Sequence, residues 1–160
     1  MSTSEVSVSG INDALDALNV SDELSQKYLL FLSDGLEFGV KASYISEIIT
    51  NYHITSVPLV PTYIKGIINL RGQVIPIIDI RSKMGKMEAE PTSVSCIIVL
   101  DVNSVMVGIY VDTVLLVADI DESKISPPSP HNRLELVNGM VSMGEEKTLF
   151  LIDCEKLIEN

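Results

Sequence analysis

The sequence predicts a mostly β protein with small closed or nearly closed sheets. Of its 160 residues 46% are hydrophobic, yet the chain has no Trp and only 3 Phe, so Ile, Val, Leu and Met must fill its core. β-branched residues favour strands. Short apolar runs separated by turn residues, and an internal repeat of those runs, point to the same class. A chain of this length can bury one compact core or two small, closely joined ones.

The strand pattern begins at Tyr28. A first run, YLLFL, is followed by the turn Ser33-Asp34-Gly35 and by LEFGV, which together predict a β-hairpin. Further strands are predicted at IKGIINL, QVIPIIDI, SCIIVLDV, SVMVGIYV and TLFLID. Two short segments have the pattern of helices instead, SEIIT and the terminal CEKLIEN.

Residues 1–24 differ from the rest, because they contain five acids and no base. We expect a flexible acidic tail that is dispensable for folding, since polar residues offer little burial to offset the entropy of ordering them. Ile11, Leu15 and Leu18 recur at helical spacing and allow one transient helix within it.

Two polar, proline-bearing segments interrupt the strands. The first, KMGKMEAEPTSV, is a linker or a long hairpin loop, and the second, ESKISPPSPHNR, must be a loop because proline cannot donate to a central strand ladder. The first break divides residues 25–160 into predicted subdomains at about 25–90 and 91–160, whose terminal strands can cross over.

An internal repeat links these two parts. Matching positions recur at offsets of 69, 73 and 74 residues: Gly39 with Gly108, Gly66 with Gly139, and Asp79 with Asp153. Two copies of one β unit explain this spacing, with chance similarity among Ile- and Val-rich strands as the alternative. The shared glycines are interpreted as tight turns or close backbone approaches, and the shared aspartates as hydrogen-bonding residues at strand ends. Arg71 has no counterpart in the second copy.

The charge distribution limits the partners. A formal net charge of -11 opposes binding to nucleic acid or to an anionic membrane. Between Lys65 and Lys86, however, five bases accompany the single acid Asp79, so this region is either a contact for an acidic partner or an ordinary solvated surface.

The residues that usually carry catalysis are few. Cys96 and Cys154 each lie in an apolar run and are predicted to be buried and reduced. His53 and His131 have polar neighbours and no pattern typical of metal binding or nucleophile activation. The sequence therefore predicts no enzyme activity, no metal and no cofactor.

Targeting signals are also missing from the pattern. The first residues lack the basic and apolar regions of a secretory signal, and aspartates interrupt the most apolar stretch, Ile97 to Ile120. We expect a cytoplasmic protein without membrane insertion.

The stretch from Tyr63 to Arg81, YIKGIINLRGQVIPIIDIR, resembles the signature segment of the CheW family. The opening YLLF with FGV, the segment ISEI, the later VGIYVD, and the closing LID with EKL extend the resemblance from about residue 26 to the end. It implies two small five-stranded SH3-like β-barrels packed together, with short helices that include one at the C-terminus.

The same resemblance implies a function. Members of the family are non-catalytic adaptors that join the cytoplasmic tips of chemoreceptors to the regulatory domain of the histidine kinase CheA. This chain would then bind both partners and be recruited to membrane-associated receptor arrays. A small β-barrel that binds nucleic acid is the alternative, although the scattered aromatics and the overall acidity oppose it.

Candidate site residues follow by position from the resemblance. Glu47, Asn69 and Arg71 match a surface that couples receptor and kinase. Apolar positions of the receptor groove match Val40, Ile45 and Ile48, for which ordinary core packing is an equal alternative. Four residues match the kinase-facing strand of the second barrel, and ordinary core packing is again an equal alternative. They are Val107, Gly108, Ile109 and Val111.

Overall fold

The structure is a computed structural model and describes residues 12–15, 27–84, 94–128 and 136–159. Within these ranges the chain forms ten β-strands, joined by tight turns or short segments. Their bounds are β1 Lys27–Ser33, β2 Leu36–Lys41, β3 Ile45–Ile49, β4 Ile64–Leu70, β5 Gln73–Asp79, β6 Cys96–Val102, β7 Val105–Val111, β8 Thr113–Asp119, β9 Val137–Ser142 and β10 Thr148–Ile152.

These strands form two five-stranded sheets, as the mostly β prediction requires. Sheet A has the order β8-β1-β2-β10-β9, and sheet B has the order β3-β6-β7-β5-β4. Neighbouring strands are antiparallel except for the parallel pairs β2 with β10 and β5 with β7. Each sheet takes strands from both halves of the chain, so a division near residue 90 does not separate the two sheets.

The predicted repeat is visible in the register of the strands. Gly39 of β2 lies opposite Leu151 of β10, and Gly108 of β7 lies opposite Ile77 of β5 in the other sheet. A Cβ atom at either glycine would point at isoleucine or leucine side chains of its own sheet. Both glycines therefore allow a close approach between strands, and the two sheets are equivalent in construction.

In each sheet, the segment that follows one edge strand forms backbone hydrogen bonds with the opposite edge strand. After β3, Thr55 exchanges two backbone hydrogen bonds of 2.9 Å with Ile67 of β4. After β8, Ser126 exchanges two of 2.8 Å with Met140 of β9. Each bridge is one residue pair that links the two edges of its sheet, as in a nearly closed barrel.

Alternate residues of the inner strands face two different cores. In β6, Ile97 and Val99 pack inside sheet B, whereas Ile98 and Leu100 belong to a larger cluster that contains buried residues of both sheets. Strand β1 alternates in the same way, because Leu30 packs inside sheet A and the residues on either side of it belong to the larger cluster. We call the larger cluster the inter-sheet core. Strands buried on both faces read as continuous apolar runs, which is the pattern in the sequence.

One short α-helix follows the last strand of each repeat. These helices are α1 Ile80–Lys83, after β5, and α2 Cys154–Leu157, after β10. The Asp79 carboxylate accepts a hydrogen bond from the backbone of the first helix, and the Asp153 carboxylate accepts two from that of the second. Both aspartates are thus N-caps, in agreement with the predicted role at strand ends.

The helix predicted at SEIIT is wrong, because these residues lie largely in β3. Ile48 and Ile49 of this segment pair with β6, where branched side chains pack well against a pleated neighbour. The predicted terminal helix is confirmed, since α2 lies within CEKLIEN. Single-turn 3₁₀ helices occur at Ala42–Tyr44 and Glu122–Lys124.

Of the acidic tail, only residues 12–15 fall within the described ranges, and they are helical. Ala14 is 3% exposed and belongs to the inter-sheet core, and Leu15 packs against that core. Ile11 and Leu18 lie outside the described residues. This helical turn therefore buries apolar surface against the sheets.

Candidate functional site

An exposed ion pair joins the two edges of sheet B. Arg71, in the turn between β4 and β5, donates from Nη2 to Oε1 of Glu47 in β3. The side chains of Arg71 and Glu47 are 73% and 28% exposed. The guanidinium therefore remains accessible to a partner while it is held by a carboxylate on the opposite edge strand.

The turn itself places Arg71 in an uncommon backbone conformation. Arg71 and Gly72 have φ angles of 52° and 85°, which is the pattern of a two-residue type I′ hairpin turn. Asn69 supports it, since its Oδ1 accepts a hydrogen bond of 2.9 Å from the Gly72 backbone N–H. Positive φ is unfavourable for arginine by about 1–2 kcal/mol, and strain of this kind is often found at functional positions. The structure thus brings Glu47, Asn69 and Arg71 together on one surface.

The apolar groove candidates are placed differently. Val40 and Ile48 are buried in the inter-sheet core, and Ile45 is partly exposed at its margin. Only Ile45 of these three presents a substantial apolar surface to solvent.

The candidates of the second copy, in β7, are all buried. Three of the side chains face the inter-sheet core, and the glycine faces the interior of sheet B, where Ile77 and Ile97 leave no room for a Cβ atom. In the described conformation these four residues are core residues and present no side chain to a partner. They are Val107, Gly108, Ile109 and Val111.

The described bases of the locally basic segment make contacts within the molecule. The Lys65 and Lys83 ammonium groups lie 4.7 and 3.8 Å from the ring centres of Tyr110 and Tyr63. Such cation–π contacts are favourable. Arg71 is paired as described, and Lys86 lies outside the described residues. These contacts fix the position of the described bases but leave the lysine charges in place.

A second charged cluster joins the two sheets and was not predicted from the sequence. Arg81 of α1 donates from Nη2 to Asp112 Oδ2 at 2.6 Å, and its Nη1 lies 3.6 Å from Asp34 Oδ1. Asp112 follows β7, and Asp34 lies in the β1–β2 turn. We call these three residues the inter-sheet clamp. The sequence shows the positive charge of Arg81 and the turn position of Asp34. It does not show that the two side chains lie close together.

Both thiols are buried and chemically inert. Burial raises the pKa of Cys96 to about 12, and burial together with the nearby Asp153 raises the pKa of Cys154 to about 12. Neutral thiols of this kind are poor nucleophiles and poor metal ligands. His53 is exposed, His131 lies outside the described residues, and the described ranges contain no group of three or more His, Cys, Asp or Glu side chains that could hold a metal ion.

A family model described as the CheW-like domain matches residues 27–160. The chain belongs to the CheW-like domain family. The resemblance inferred from the segment between Tyr63 and Arg81 is thereby confirmed, and the residues matched include the ion pair, its turn and the inter-sheet clamp.

Comparison with individual CheW proteins gives the same result. The chain is 32% identical over 143 residues to the chemotaxis protein CheW of Klebsiella aerogenes, covering 87% of this chain and 85% of that protein. It is 32% identical over 157 residues to the chemotaxis protein CheW of Thermotoga maritima, with 92% and 91% covered. A more distant relative is the protein FrzA of Myxococcus xanthus, 27% identical over 146 residues, with 89% of this chain and 91% of that protein covered.

The CheW-like fold is also found in a solved structure. The scaffolding protein TtCheW of Thermoanaerobacter tengcongensis superposes with a TM-score of 0.73 at 31% sequence identity, covering 80% of this chain and 88% of that one. The prediction of two packed five-stranded β units is confirmed. In the described part of this CheW-like chain, no helix is both long enough and apolar enough to span a bilayer.

Proposed function

We propose that this chain is a non-catalytic adaptor that couples the cytoplasmic tips of chemoreceptors to the histidine kinase CheA. The broader role, an adaptor in chemotaxis signalling, follows from membership of the CheW-like family. The two specific partners, and recruitment of the chain to membrane-associated receptor arrays, are the proposal.

The exposed Arg71–Glu47 pair is the observation that carries this proposal. An exposed ion pair contributes only about 0–1 kcal/mol to stability, which is less than the strain of a positive φ at arginine. Fold stability alone therefore does not account for an arginine at this turn. A fixed, accessible guanidinium suits recognition of carboxylates and backbone carbonyls of a partner.

The two-sheet architecture suits an adaptor because it carries two differently built surfaces on one rigid body. The inter-sheet clamp and the inter-sheet core fix the sheets relative to each other. At the position equivalent to Glu47, sheet A instead carries Leu116, which is exposed. We propose that the surface around Glu47, Asn69 and Arg71 serves receptor and kinase coupling.

Ile45 is the apolar residue that we propose as a receptor contact. It lies beside Glu47 in β3 and is partly exposed, whereas Val40 and Ile48 lie behind it in the core. The buried β7 candidates would influence the kinase-facing side by shaping it. Nucleic-acid binding gains no support, because the family that the chain belongs to is that of chemotaxis proteins and a net charge of -11 opposes contact with phosphates.

A reconstitution tests the proposal directly. The full chain is mixed with membranes that contain a chemoreceptor and with purified CheA, and both co-sedimentation and kinase activity are measured. We expect the chain to sediment with the receptor membranes, to increase the amount of CheA that sediments, and to raise kinase activity. Failure of the chain to bind either partner, alone or together, would overturn the proposed function. A gel-shift titration with DNA is the control, and retardation at physiological salt would favour the alternative.

A further inference from the structure

Within the described ranges the chain crosses between the two sheets at two places. One crossing is Asp112 alone, between β7 of sheet B and β8 of sheet A. The other is the 3₁₀ turn Ala42–Tyr44, between β2 of sheet A and β3 of sheet B. Ser43 and Asp112 are separated by the same 69 residues as Gly39 and Gly108. The two crossings are therefore equivalent positions of the repeat.

The crossing at Asp112 is bonded to both sheets by the inter-sheet clamp. Oδ2 of Asp112 accepts a hydrogen bond of 2.6 Å from Arg81 Nη2 and one of 3.0 Å from the Asp34 backbone N–H. The Asp112 backbone N–H donates to the Leu32 carbonyl at 3.0 Å. Arg81 follows the last residue of β5 in sheet B, whereas Leu32 and Asp34 belong to the first hairpin of sheet A. One residue thus receives bonds from both sides of the junction.

The clamp occurs in only one of the two repeats. At the offsets of 69 and 74 residues, the counterparts of Asp34, Asp112 and Arg81 include no cation, and all three are exposed; they are Asn103, Ser43 and Glu155. The construction that the two sheets share is therefore formed without such a cluster at the other crossing. A feature confined to one copy is not required by the common β unit.

The clamp and the inter-sheet core act differently on the arrangement of the sheets. Burial of apolar surface is favourable in proportion to its area and has no direction, whereas a hydrogen-bonded ion pair depends on angle and distance. The side chains of Arg81, Asp112 and Asp34 are 24%, 26% and 32% exposed. Ion pairs in such positions add little net stability, because desolvation opposes their attraction. The clamp is thus better suited to select one orientation of the packed sheets than to drive their packing.

We propose that Arg81 is a positioning residue, which through the clamp holds sheet B in one orientation relative to sheet A. Strand β3, which contains Ile45 and Glu47, begins directly after the crossing at Ala42–Tyr44. The surface assigned to receptor and kinase coupling therefore follows the crossing that lacks the clamp, and the clamp sets its orientation from the other crossing. The importance of this orientation for kinase control rests on the proposed function, whereas the effect on orientation rests on the clamp alone.

The orientation of the sheets can be measured without any partner. Residual dipolar couplings of the backbone N–H groups are recorded for the ¹⁵N-labelled full chain in a weakly aligning medium. In the wild type we expect the couplings of both sheets to fit one alignment tensor. In Arg81→Gln each sheet should still fit a tensor of its own, but the two tensors should differ in orientation or in magnitude. A common tensor for both sheets of folded Arg81→Gln would overturn the proposal.

Three further variants separate orientation from stability. Gly139→Ala weakens sheet A at a position outside the clamp and should keep the common tensor. Arg81→Lys keeps the charge but loses the planar donor group, so we expect a smaller difference between the tensors than in Arg81→Gln. Asp34→Asn removes the longer ion pair of 3.6 Å and should produce a small difference in the same direction. If Arg81→Gln does not fold, a common tensor in Asp34→Asn overturns the proposal.

A second arm tests the consequence for kinase control. In the reconstitution with receptor membranes and CheA, Arg81→Gln should sediment with the membranes as wild type does. The ratio of kinase activity without and with a receptor ligand should nevertheless fall severalfold, and it should not fall in Gly139→Ala. An equal fall in both variants, or none in either, would overturn the role in kinase control. If the wild-type chain binds neither partner, the proposed function fails, and the dipolar couplings still decide the orientation.

Discussion

Arg81 and Asp112 form a half-buried ion pair, with Nη2 and Oδ2 separated by 2.6 Å, at the junction of the two sheets. Burial by itself would lower the pKa of Arg81, but the hydrogen bond and the charge of Asp112, with Asp34 and Asp79, raise it above the usual value. The interaction is therefore structural, in contrast to the exposed pair at Arg71.

Replacing Arg81 by glutamine should destabilise the fold. Asp112 would keep a half-buried charge without its guanidinium, and we expect the free energy of unfolding to fall by about 2 kcal/mol. Urea unfolding followed by circular dichroism measures this change. Asp119→Asn, which breaks the exposed pair with Lys27, is the control and should change stability by less than about 0.5 kcal/mol. Equal effects of the two substitutions would contradict the role of the clamp.

Reversing the charge at Arg71 should separate function from stability. Arg71→Asp brings two like charges together on exposed side chains, so we expect unchanged circular dichroism and a loss below about 1 kcal/mol. Receptor-controlled CheA activity should nevertheless fall at least about tenfold, because a central arginine often dominates an interface. Arg71→Lys should be intermediate, since the charge remains but the planar donor group is lost. Full kinase activation by folded Arg71→Asp would contradict the assignment, and unfolding would favour a structural role.

Glycine at position 66 should be far less replaceable than its repeat partner. In Gly66→Ala the new Cβ would lie against the Thr55 carbonyl, and the φ of 156° is unfavourable for alanine. In Gly139→Ala the closest atom is Cγ2 of the Ile125 side chain, at 2.8 Å. We expect losses of about 3 kcal/mol or more for Gly66→Ala and about 1–2 kcal/mol for Gly139→Ala, measured by thermal unfolding. The reverse order would show that sheet B can relax at the bridge between Thr55 and Ile67.

The two thiols should make the fold less stable in base. Above about pH 9 the thiols of the unfolded chain ionise, whereas the native thiols, with pKa values of about 12, remain protonated. The native state then binds more protons than the unfolded state, so stability falls as pH rises from about 9 towards 12. Urea unfolding between pH 8 and 10 measures this slope, which Cys96→Val should reduce. Rapid reaction of both native thiols with a disulfide reagent at pH 8 would contradict their burial.

Removal of residues 1–24 tests the tail. The sequence predicts little effect, but the buried Ala14 and the packed Leu15 change that expectation. We expect a loss of about 1–2 kcal/mol, which lowers the thermal midpoint by about 2–8 °C. A chain that lacks only residues 1–10 keeps the helical turn and is the control. An identical midpoint for all three proteins would show that the turn is dispensable.

Features that depend on local pattern were predictable from the sequence. The hairpin at Ser33-Asp34-Gly35, the strand runs and the paired glycines follow from residue type and spacing alone. The segment SEIIT misled the prediction because five residues with two adjacent isoleucines fit a helix or a strand equally well, and pairing with β6 decides the outcome.

Features that depend on distant residues were not predictable in the same way. Glu47 and Arg71 were assigned to one surface only through the family resemblance, since nothing local connects them. The clamp between Arg81 and Asp112 requires the register of several strands. Burial of Val40 and Ile48 likewise depends on packing between the sheets, which a strand pattern buried on both faces does not specify.

The exchange of strands between the two repeats also fixes the order in which the chain can assemble during translation. When β1 to β5 have left the ribosome, neither sheet has all of its strands. Sheet B can be completed once β7 has emerged. Strand β2 of the β1–β2 hairpin, in contrast, can pair on its other edge only after β10, at residues 148–152, has been made. Until then β2 lacks its partner strand and Phe38 lacks its contact with the Phe150 ring of β10, so the nascent chain exposes the unpaired edge of a hairpin.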